Sequence, residues 1–185
     1  MNIEPGLSLL AEAGVSHTCE TIRFGVGECS LGAVLVAVSD KGVCAILLGD
    51  DPSFLQSELK DRFPEARLIP GGADFDPVVT EVAGFIESPG LGLNLPLDTR
   101  GTSFEQEVWQ ALCAIPAGST ASYSEIAKRI GATNEAQAVA EACAANTIAV
   151  AIPCHRVVRK NGQLGGYRWG YRRKRALLNR EAAAG

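Results

Sequence analysis

Short apolar stretches separated by turn residues dominate the first half of the chain. Three of them, residues 21–28, 32–40 and 43–49, are rich in aliphatic and β-branched side chains and are divided by Gly, Ser and Asp. Their close spacing predicts antiparallel strands joined as hairpins. Helices are expected next, over residues 51–63 and 77–87, where apolar positions recur at helical intervals.

The first of these helices has a predicted apolar face. Proline at its start favours the first helical turn. The side chains expected to share the buried face are Phe54, Leu55, Leu59 and Phe63. The cysteines of this half lie in or beside predicted strands, and we expect them to be buried apolar residues.

A Pro- and Gly-rich segment, residues 88–101, contains one further short strand and is the expected domain boundary. We therefore predict an N-terminal extension over residues 1–20, a small α/β domain over 21–100, and a mainly helical domain over 101–185. The fold class is α+β.

Helical periodicity begins with the second half. Ser103 and Gln106 have capping-box spacing, and the apolar positions that follow are Phe104, Val108, Leu112 and Ile115. A second capping box, Ser122 with Glu125, predicts a short helix that ends at Ile130. These patterns predict two consecutive helices.

A third helix is expected over residues 134–144, after a tight turn at residues 131–133, with Thr133 as its cap. Two short helices joined by a glycine-containing turn are typical of a helix-turn-helix. The third helix is rich in alanine, and small side chains allow the backbone to approach a grooved partner closely.

Charge is unevenly distributed along the chain. The net charge is −4, but residues 1–100 hold 6 Lys and Arg against 15 Asp and Glu, while residues 101–185 hold 11 against 6. The basic second half could meet phosphates, although the same charges could also be a solvated surface.

The cysteine pattern argues against disulfides and metal. The six cysteines form no CxxC pair, and the chain has two histidines, so neither a disulfide framework nor a zinc site is expected. No apolar run reaches the ~18 residues needed to cross a bilayer, and the first residues lack the features of a signal peptide. We therefore expect a cytoplasmic protein with no membrane partner.

The candidate nucleophile is Cys154, which follows Pro153 at the end of an apolar run. Proline fixes the direction of the chain, and a neighbouring imidazole can activate a thiol. In an extended segment His155 would point away from Cys154, so it would act through a water or a turn of the backbone. Glu181 is a candidate to orient His155. Such a Cys-His pair is also compatible with a purely structural role.

These motifs carry a family resemblance. The segments "FEQEVWQAL", "IPAGSTASYSEIA", "ACAAN", "IPCHRVV" and "GGYRWGYRRK" occur in this order over residues 104–174, with Glu181 following. Together they resemble the catalytic domain of the alkylguanine-DNA alkyltransferases, in particular the C-terminal half of the bacterial adaptive-response proteins. The first half is similar to the N-terminal domain of that family, which implies a ribonuclease-H-like fold there.

The resemblance implies roles for individual residues. Cys154 would accept the alkyl group, with Glu181, His155 and a water as its relay, and Asn146 would shape the turn between the DNA-binding helix and the active site. The residues implied to bind the flipped base are Tyr123, Val157, Gly165, Tyr167 and Arg168, with Gly165 and Gly166 folding the loop over it. The residues implied to contact DNA are Ala136, Gln137 and Ala138.

The implied function is suicidal repair of 6-O-alkylguanine in double-stranded DNA by a monomer. The alkyl group comes from the DNA, so no cofactor or metal is implied. Two alternatives stay open: a DNA-binding or regulatory relative with weak transfer, and an alkyl acceptor for a substrate other than duplex DNA.

The third predicted helix departs from the family pattern. Gln137 stands where an arginine is usual, Asn134 where a lysine is common, and Glu135 and Glu141 add negative charge. Acids near a helix start favour the macrodipole, and Glu141 could face solvent. We nevertheless expect weaker attraction to phosphates on this helix.

Overall fold

The computed structural model describes residues 19–184. Within this range the chain forms a mixed α+β structure with two sheets and six α-helices. The strands are β1 (Thr21–Cys29), β2 (Gly32–Val38), β3 (Val43–Gly49), β4 (Arg67–Pro70), β5 (Ala121–Ser122) and β6 (Val157–Val158). The helices are α1 (Pro52–Arg62), α2 (Asp76–Glu87), α3 (Ser103–Cys113), α4 (Tyr123–Arg129), α5 (Ala136–Ala145) and α6 (Tyr171–Ala184). Most of the expected N-terminal extension lies outside the described residues.

The larger sheet has the strand order β3-β2-β1-β4. Its first three strands form the two antiparallel hairpins that the sequence predicts. The fourth strand was not predicted. It is parallel to β1, with Thr21 opposite Arg67 and Phe24 opposite Pro70. Since proline cannot donate to the ladder, its position at the end of an edge strand is compatible with this pairing.

Helix α1 buries one side only. Leu55 and Leu59 are fully buried, as expected for positions four apart. Phe54 was predicted to share this face, but it is 67% exposed, because a residue adjacent to Leu55 is rotated about 100° around the helix axis. The prediction that the cysteines of this half are buried is confirmed at Cys44 alone: Cys29 is partly buried and Cys19 is exposed.

Of the three predicted helix N-caps, one is present as predicted, one is shifted by a residue and one is wrong. At α4 the expected Ser122–Glu125 box is present. At α3 the box is formed by Thr102 and Glu105, one residue earlier than predicted, because Ser103 is already the first helical residue. At α5 the predicted cap is wrong: the N-cap is Glu135, with no side-chain hydrogen bond.

The second half of the chain docks onto the sheet of the first half. Ile46 of β3 forms a parallel bridge with Ile148, and Thr147 Oγ1 donates to Cys44 O at 3.1 Å. From α6, Arg173 Nε donates to Leu31 O at 2.8 Å. The larger sheet therefore supports the segment that leads into Cys154. In the predicted boundary segment, the expected short strand is a single bridge between Val43 and Leu97.

Candidate active site

A single turn of 3-10 helix, Cys154–Arg156, holds the candidate nucleophile. The sequence interpretation placed Cys154 and His155 in an extended segment, with side chains on opposite sides. Because these two residues lie in a tight turn, the alternation of side chains in an extended strand does not apply to them. Cys154 is 4% exposed and lies in the lining of a cavity of about 620 Å³. A substrate would therefore reach its sulfur through this cavity.

Asn146 fixes the approach to this turn. Its Nδ2 donates to Ile152 O at 3.0 Å and to Cys154 Sγ at 3.3 Å. Its Oδ1 accepts from Ile148 N at 2.8 Å. Between them Val150 has a φ of 66°, a conformation that is strained for a β-branched residue. One buried amide therefore contacts the candidate nucleophile and braces the strained segment before it.

The Cys154 thiol is protonated at neutral pH in this resting structure. Burial raises the pKa of Cys154 to about 11, because a thiolate loses hydration in an apolar site. The hydrogen bond from Asn146 and the charge of Lys174 act in the opposite direction. Since the thiolate is the reactive form, a base must remove the thiol proton during any reaction.

His155, the residue after Cys154, is the candidate base that would remove this proton. It is fully buried, and its Nε2 lies 2.8 Å from Glu181 Oε1. Burial lowers the pKa of His155, while Glu181 opposes the shift, so the ring is neutral at neutral pH. Within residues 19–184, Nδ1 has no hydrogen-bond partner. A carboxylate on Nε2 selects the tautomer in which Nδ1 can accept a proton.

Glu181 is shared between His155 and Arg156. Arg156 Nη2 donates to Glu181 Oε1 at 2.8 Å, and Arg156 Nε donates to Oε2 at 3.0 Å. Arg156 Nη1 also donates to Ile115 O at 2.6 Å. Although burial acts in the other direction, these partners lower the pKa of Glu181 to about 2. Sequence reasoning proposed the pairing with His155 and missed Arg156.

Lys174 is a second cation that the sequence did not reveal. It is fully buried, and its Nζ donates to Val157 O at 2.6 Å and to Gly166 O at 3.0 Å. Burial lowers its pKa to about 8, and the thiol of Cys154 opposes the shift. The ammonium thus links strand β6, at Val157, to the covering loop, at Gly166. In a run of four cations on α6, nothing in the sequence distinguishes the one that turns inward.

The cavity brings together most of the residues that the resemblance implied. Its lining includes Tyr123, Gly165, Tyr167 and Arg168, and also Ala136 and Gln137 of α5. Val157 and Ala138 are not among the lining residues; Val157 is fully buried behind the wall. Cys143 does line the cavity, although it was not predicted. Burial raises the pKa of Cys143 to about 12, and alanines flank it in the sequence, whereas Cys154 is followed by a histidine that could serve as its base.

The two glycines of the covering loop are not equivalent. Gly165 has a φ of 65°, and a Cβ there would lie 3.2 Å from Tyr123 Oη. At Gly166 a Cβ would meet nothing within 4 Å, and its φ lies outside the left-handed region. The expectation that both glycines are needed for tight folding is therefore supported at Gly165 and contradicted at Gly166.

Arg168 links the covering loop to two other elements. Its Nη2 donates to Glu58 of α1 at 2.7 Å, and its Nη1 donates to Ala144 O at 2.9 Å. The side chain therefore points to α1 and to the end of α5. The expected contribution of Arg168 to base binding concerned its main chain, which this side-chain position leaves available.

Aromatic rings complete the inner wall. Tyr167 packs edge-on against Trp169, with ring centroids 5.3 Å apart, and contacts the ring of His155 at 6.5 Å. Its hydroxyl is buried without a partner within residues 19–184. Burial raises the pKa of Tyr167 well above its usual value, so the hydroxyl remains a hydrogen-bond donor.

The described residues contain neither a metal-binding cluster nor a membrane-spanning helix. Between residues 19 and 184 no group of three or more His, Cys, Asp or Glu side chains is arranged to hold a metal ion. In the same range no helix is long and apolar enough to cross a membrane.

Comparison with known proteins gives a consistent result. Residues 103–183 match the protein-family model described as "6-O-methylguanine DNA methyltransferase, DNA binding domain". The chain is 52% identical over 161 residues to the Escherichia coli "Bifunctional transcriptional activator/DNA repair enzyme Ada", covering 87% of this chain and 46% of that protein. It thus spans less than half the length of this relative. A crystal structure of Mycobacterium tuberculosis OGT in complex with DNA superposes with a TM-score of 0.72 at 33% identity, covering 87% of this chain and 93% of that one.

A relative of similar length matches over most of its sequence. The inducible methylated-DNA–protein-cysteine methyltransferase of Bacillus subtilis is 39% identical over 125 residues, which are 68% of this chain and 70% of that protein. The family model matches the part of the chain that contains Cys154, His155 and Glu181. The chain belongs to the methylated-DNA–protein-cysteine methyltransferase family.

Proposed function

We propose that this protein repairs DNA by moving the alkyl group of a 6-O-alkylguanine, irreversibly, to Sγ of its own Cys154. One observation carries the proposal: a buried thiol lines a cavity of about 620 Å³ and is followed directly by a buried histidine paired with Glu181. A nucleophile next to an oriented base is the arrangement that covalent transfer requires. The family to which the chain belongs supplies the reaction class.

The transfer involves one bond made and one bond broken. His155 Nδ1 accepts the thiol proton through a water, and Glu181 stabilises the imidazolium that results. The sulfur attacks the alkyl carbon as the bond from that carbon to guanine O6 breaks, and guanine leaves with the electron pair and takes up a proton. The product is a thioether, which has no acidic proton and no easy leaving group. Each molecule of protein therefore reacts once.

The lesion must leave the duplex to reach the sulfur. An alkyl group on guanine lies within the base stack, so the nucleotide has to be flipped into the cavity at a cost of a few kcal/mol. The lining of the cavity includes two aromatic side chains, Tyr123 and Tyr167, and the backbone of Gly165. Main-chain groups of Val157 and Arg168 would hold the base, and the Tyr123 hydroxyl would meet the flipped nucleotide.

Helices α4 and α5 would face the DNA as a helix-turn-helix. In this arrangement Ala136, Gln137 and Ala138 lie at the start of α5, and the first two line the cavity. Small residues here would allow close approach to the minor groove. All groups used in the reaction come from one chain, which is compatible with a monomer that acts alone.

A second candidate function rests on the surface of α5. Gln137 Nε2 donates to Glu141 Oε1 at 3.2 Å, so the residue at the usual arginine position is paired with an acid. This feature favours an alkyl acceptor for single-stranded DNA or another substrate that needs no strand separation. Much faster transfer from single-stranded than from duplex methylated DNA would support this candidate over duplex repair.

The direct test is stoichiometric transfer. Mixing the protein with an equal amount of duplex containing one 6-O-methylguanine should increase the intact mass of the protein by one methyl group and restore guanine in the DNA. Unmethylated duplex should leave the mass unchanged. The Cys154→Ser variant should bind the duplex and accept no methyl group, since a serine hydroxyl is a poor nucleophile at neutral pH. An unchanged mass with the methylated duplex would refute the proposal.

A further inference from the structure

Helix α5 contributes no positive charge to the mouth of the cavity. Residues 134–146 contain two acids, Glu135 and Glu141, and no Lys or Arg. Duplex DNA carries a dense line of phosphates, and much of its affinity for proteins comes from cations that displace condensed counterions. If this protein binds DNA at the cavity, the cations must lie on another side of the mouth.

The lining of the cavity includes two exposed cations from outside α5, Arg159 and Lys160, at its rim. Both line the cavity that contains Cys154, and both also line an adjoining groove with Lys128. The stem of Arg159 lies beside the mouth, because a Cβ on Gly165 would be 3.5 Å from Arg159 Cγ. The same position is 3.2 Å from the hydroxyl of Tyr123, the side chain proposed to meet the flipped nucleotide.

A rigid turn presents these two side chains. Arg159 N donates to Gln163 O at 2.7 Å, and Gly162 N donates to Arg159 O at 2.8 Å. Asn161 Oδ1 accepts from Gln163 N at 3.1 Å. The turn is therefore fixed by its own hydrogen bonds, so binding of a ligand does not require a further loss of backbone entropy there.

These cations are available, unlike their neighbours. Over the described residues, neither Arg159 nor Lys160 forms an ion pair or a side-chain hydrogen bond. In contrast, Arg168 is paired with Glu58, and Arg173 is paired with Asp50. Arg159, the arginine beside Tyr123, thus has no acidic partner within the described residues.

We propose that Arg159 and Lys160 bind the DNA phosphates that flank the flipped nucleotide, in place of the missing cations of α5. This inference rests on the proposed function, because it requires a nucleotide whose base occupies the cavity. The phosphates of that nucleotide must then lie at the mouth, beside Tyr123. A guanidinium can hold a phosphate with two hydrogen bonds, and an ammonium acts as a point charge. Two adjacent cations can therefore hold successive phosphates.

The test compares two double variants with equal changes in charge. The rim variant is Arg159→Gln/Lys160→Gln. The control is Lys41→Gln/Arg67→Gln, at two exposed positions of the first half that form no ion pair within the described chain. Binding of a duplex with one 6-O-methylguanine is measured over a series of salt concentrations, with Cys154→Ser introduced into every protein so that binding is not followed by transfer. The slope of log K against log salt should be smaller by about 2 for the rim variant and unchanged for the control. Equal slopes for the parent and the rim variant would overturn the inference.

A second measurement locates the phosphates. Methylphosphonate linkages on both sides of the lesion remove the two charges while keeping the base. In the same Cys154→Ser background, the protein that keeps both cations should bind this duplex less tightly than the ordinary lesion duplex, whereas the rim variant should bind both almost equally, since the contacts are already lost. Equal losses for both proteins would mean that the rim cations lie elsewhere on the DNA, which contradicts the proposal.

Transfer from the free base separates this inference from the proposed function. Free 6-O-methylguanine has no phosphate, so the rim variant should lose at least about tenfold more rate on duplex DNA than on the free base. Similar losses on both substrates would show that these residues shape the pocket, and would overturn the inference. If the parent protein accepted no methyl from either substrate, the proposed function would fail, while the salt slopes would still decide the phosphate contacts.

Discussion

Replacing Glu181 by glutamine should separate the two functions of this carboxylate, which are to stabilise the fold and to orient His155. The side chain accepts from His155 at 2.8 Å and from two nitrogens of Arg156. An amide has one oxygen and a donating nitrogen, so it can serve one of these partners but must oppose the other. The variant keeps the shape of the site and removes its charge.

The loss of stability follows from the pKa of Glu181. Its partners lower the pKa from 4.5 to about 2, and this shift corresponds to about 3 kcal/mol in favour of the folded state. Because the folded-state pKa is depressed, this stability is present above pH 4.5 and is lost as the pH falls toward 2. Glu181→Gln should therefore unfold about 3 kcal/mol more easily at pH 7, and its deficit should shrink as the pH is lowered through this window. Urea unfolding at several pH values measures both effects.

The catalytic effect should exceed what lost stability explains. Without a carboxylate to stabilise the imidazolium, single-turnover transfer should fall by about 100-fold or more. Arg156→Met is the matched control, because it removes the structural partner and leaves Glu181 on His155. We expect it to lose stability as well, but to transfer at nearly the parent rate.

Two results would refute this reasoning. If Arg156→Met slowed transfer as much as Glu181→Gln, the carboxylate would act through packing and not through His155. If His155→Ala and Glu181→Gln had additive effects on the rate, the two residues would not form one relay.

Four further substitutions test other parts of the site. Gly165→Ala should slow transfer and lower the free energy of unfolding by about 1 kcal/mol, because the φ of this residue is 65° and the new Cβ would crowd Tyr123. Gly166→Ala is its control and should change neither the transfer rate nor the urea midpoint. Gln137→Arg should speed transfer from duplex DNA by about 5- to 30-fold and leave the rate with free 6-O-methylguanine unchanged; no gain on the duplex would argue against contact between α5 and DNA. Lys174→Met should slow transfer from both substrates, because the covering loop at Gly166 loses the donor that links it to Val157.

Much of the fold follows from local patterns that the sequence displays. The hairpins of β1 to β3 are confirmed because β-branched runs and turn residues specify both the strands and their connections. Strand β4 was missed because four residues ending in proline carry little signal, and its pairing with β1 depends on a distant segment. Helix α5 begins at Ala136, two residues later than predicted, because Asn134 takes a left-handed conformation with a φ of 77°.

The chemical groups of the site could be named from the sequence, but their partners could not. The position of Cys154 after a proline and before a histidine marks a candidate nucleophile. In contrast, the sequence does not show that Arg156 pairs with Glu181 of α6. Lys174 lies in a basic run of the kind that is usually solvent-exposed, and its burial depends on how α6 packs against the rest of the chain. The roles proposed for Asn146, Tyr123 and Gln137 stay predictions until the variants are measured.

The most direct test of the account is to find which sulfur carries the methyl group. The chain has six cysteines, and Cys143 lines the same cavity as Cys154, so intact mass alone cannot distinguish them. Peptide mapping after reaction with one equivalent of duplex containing 6-O-methylguanine should locate the methyl group on Cys154 alone, and Cys143→Ser should react in the same way. A methyl group on Cys143, or transfer that persists in Cys154→Ser, would contradict the account.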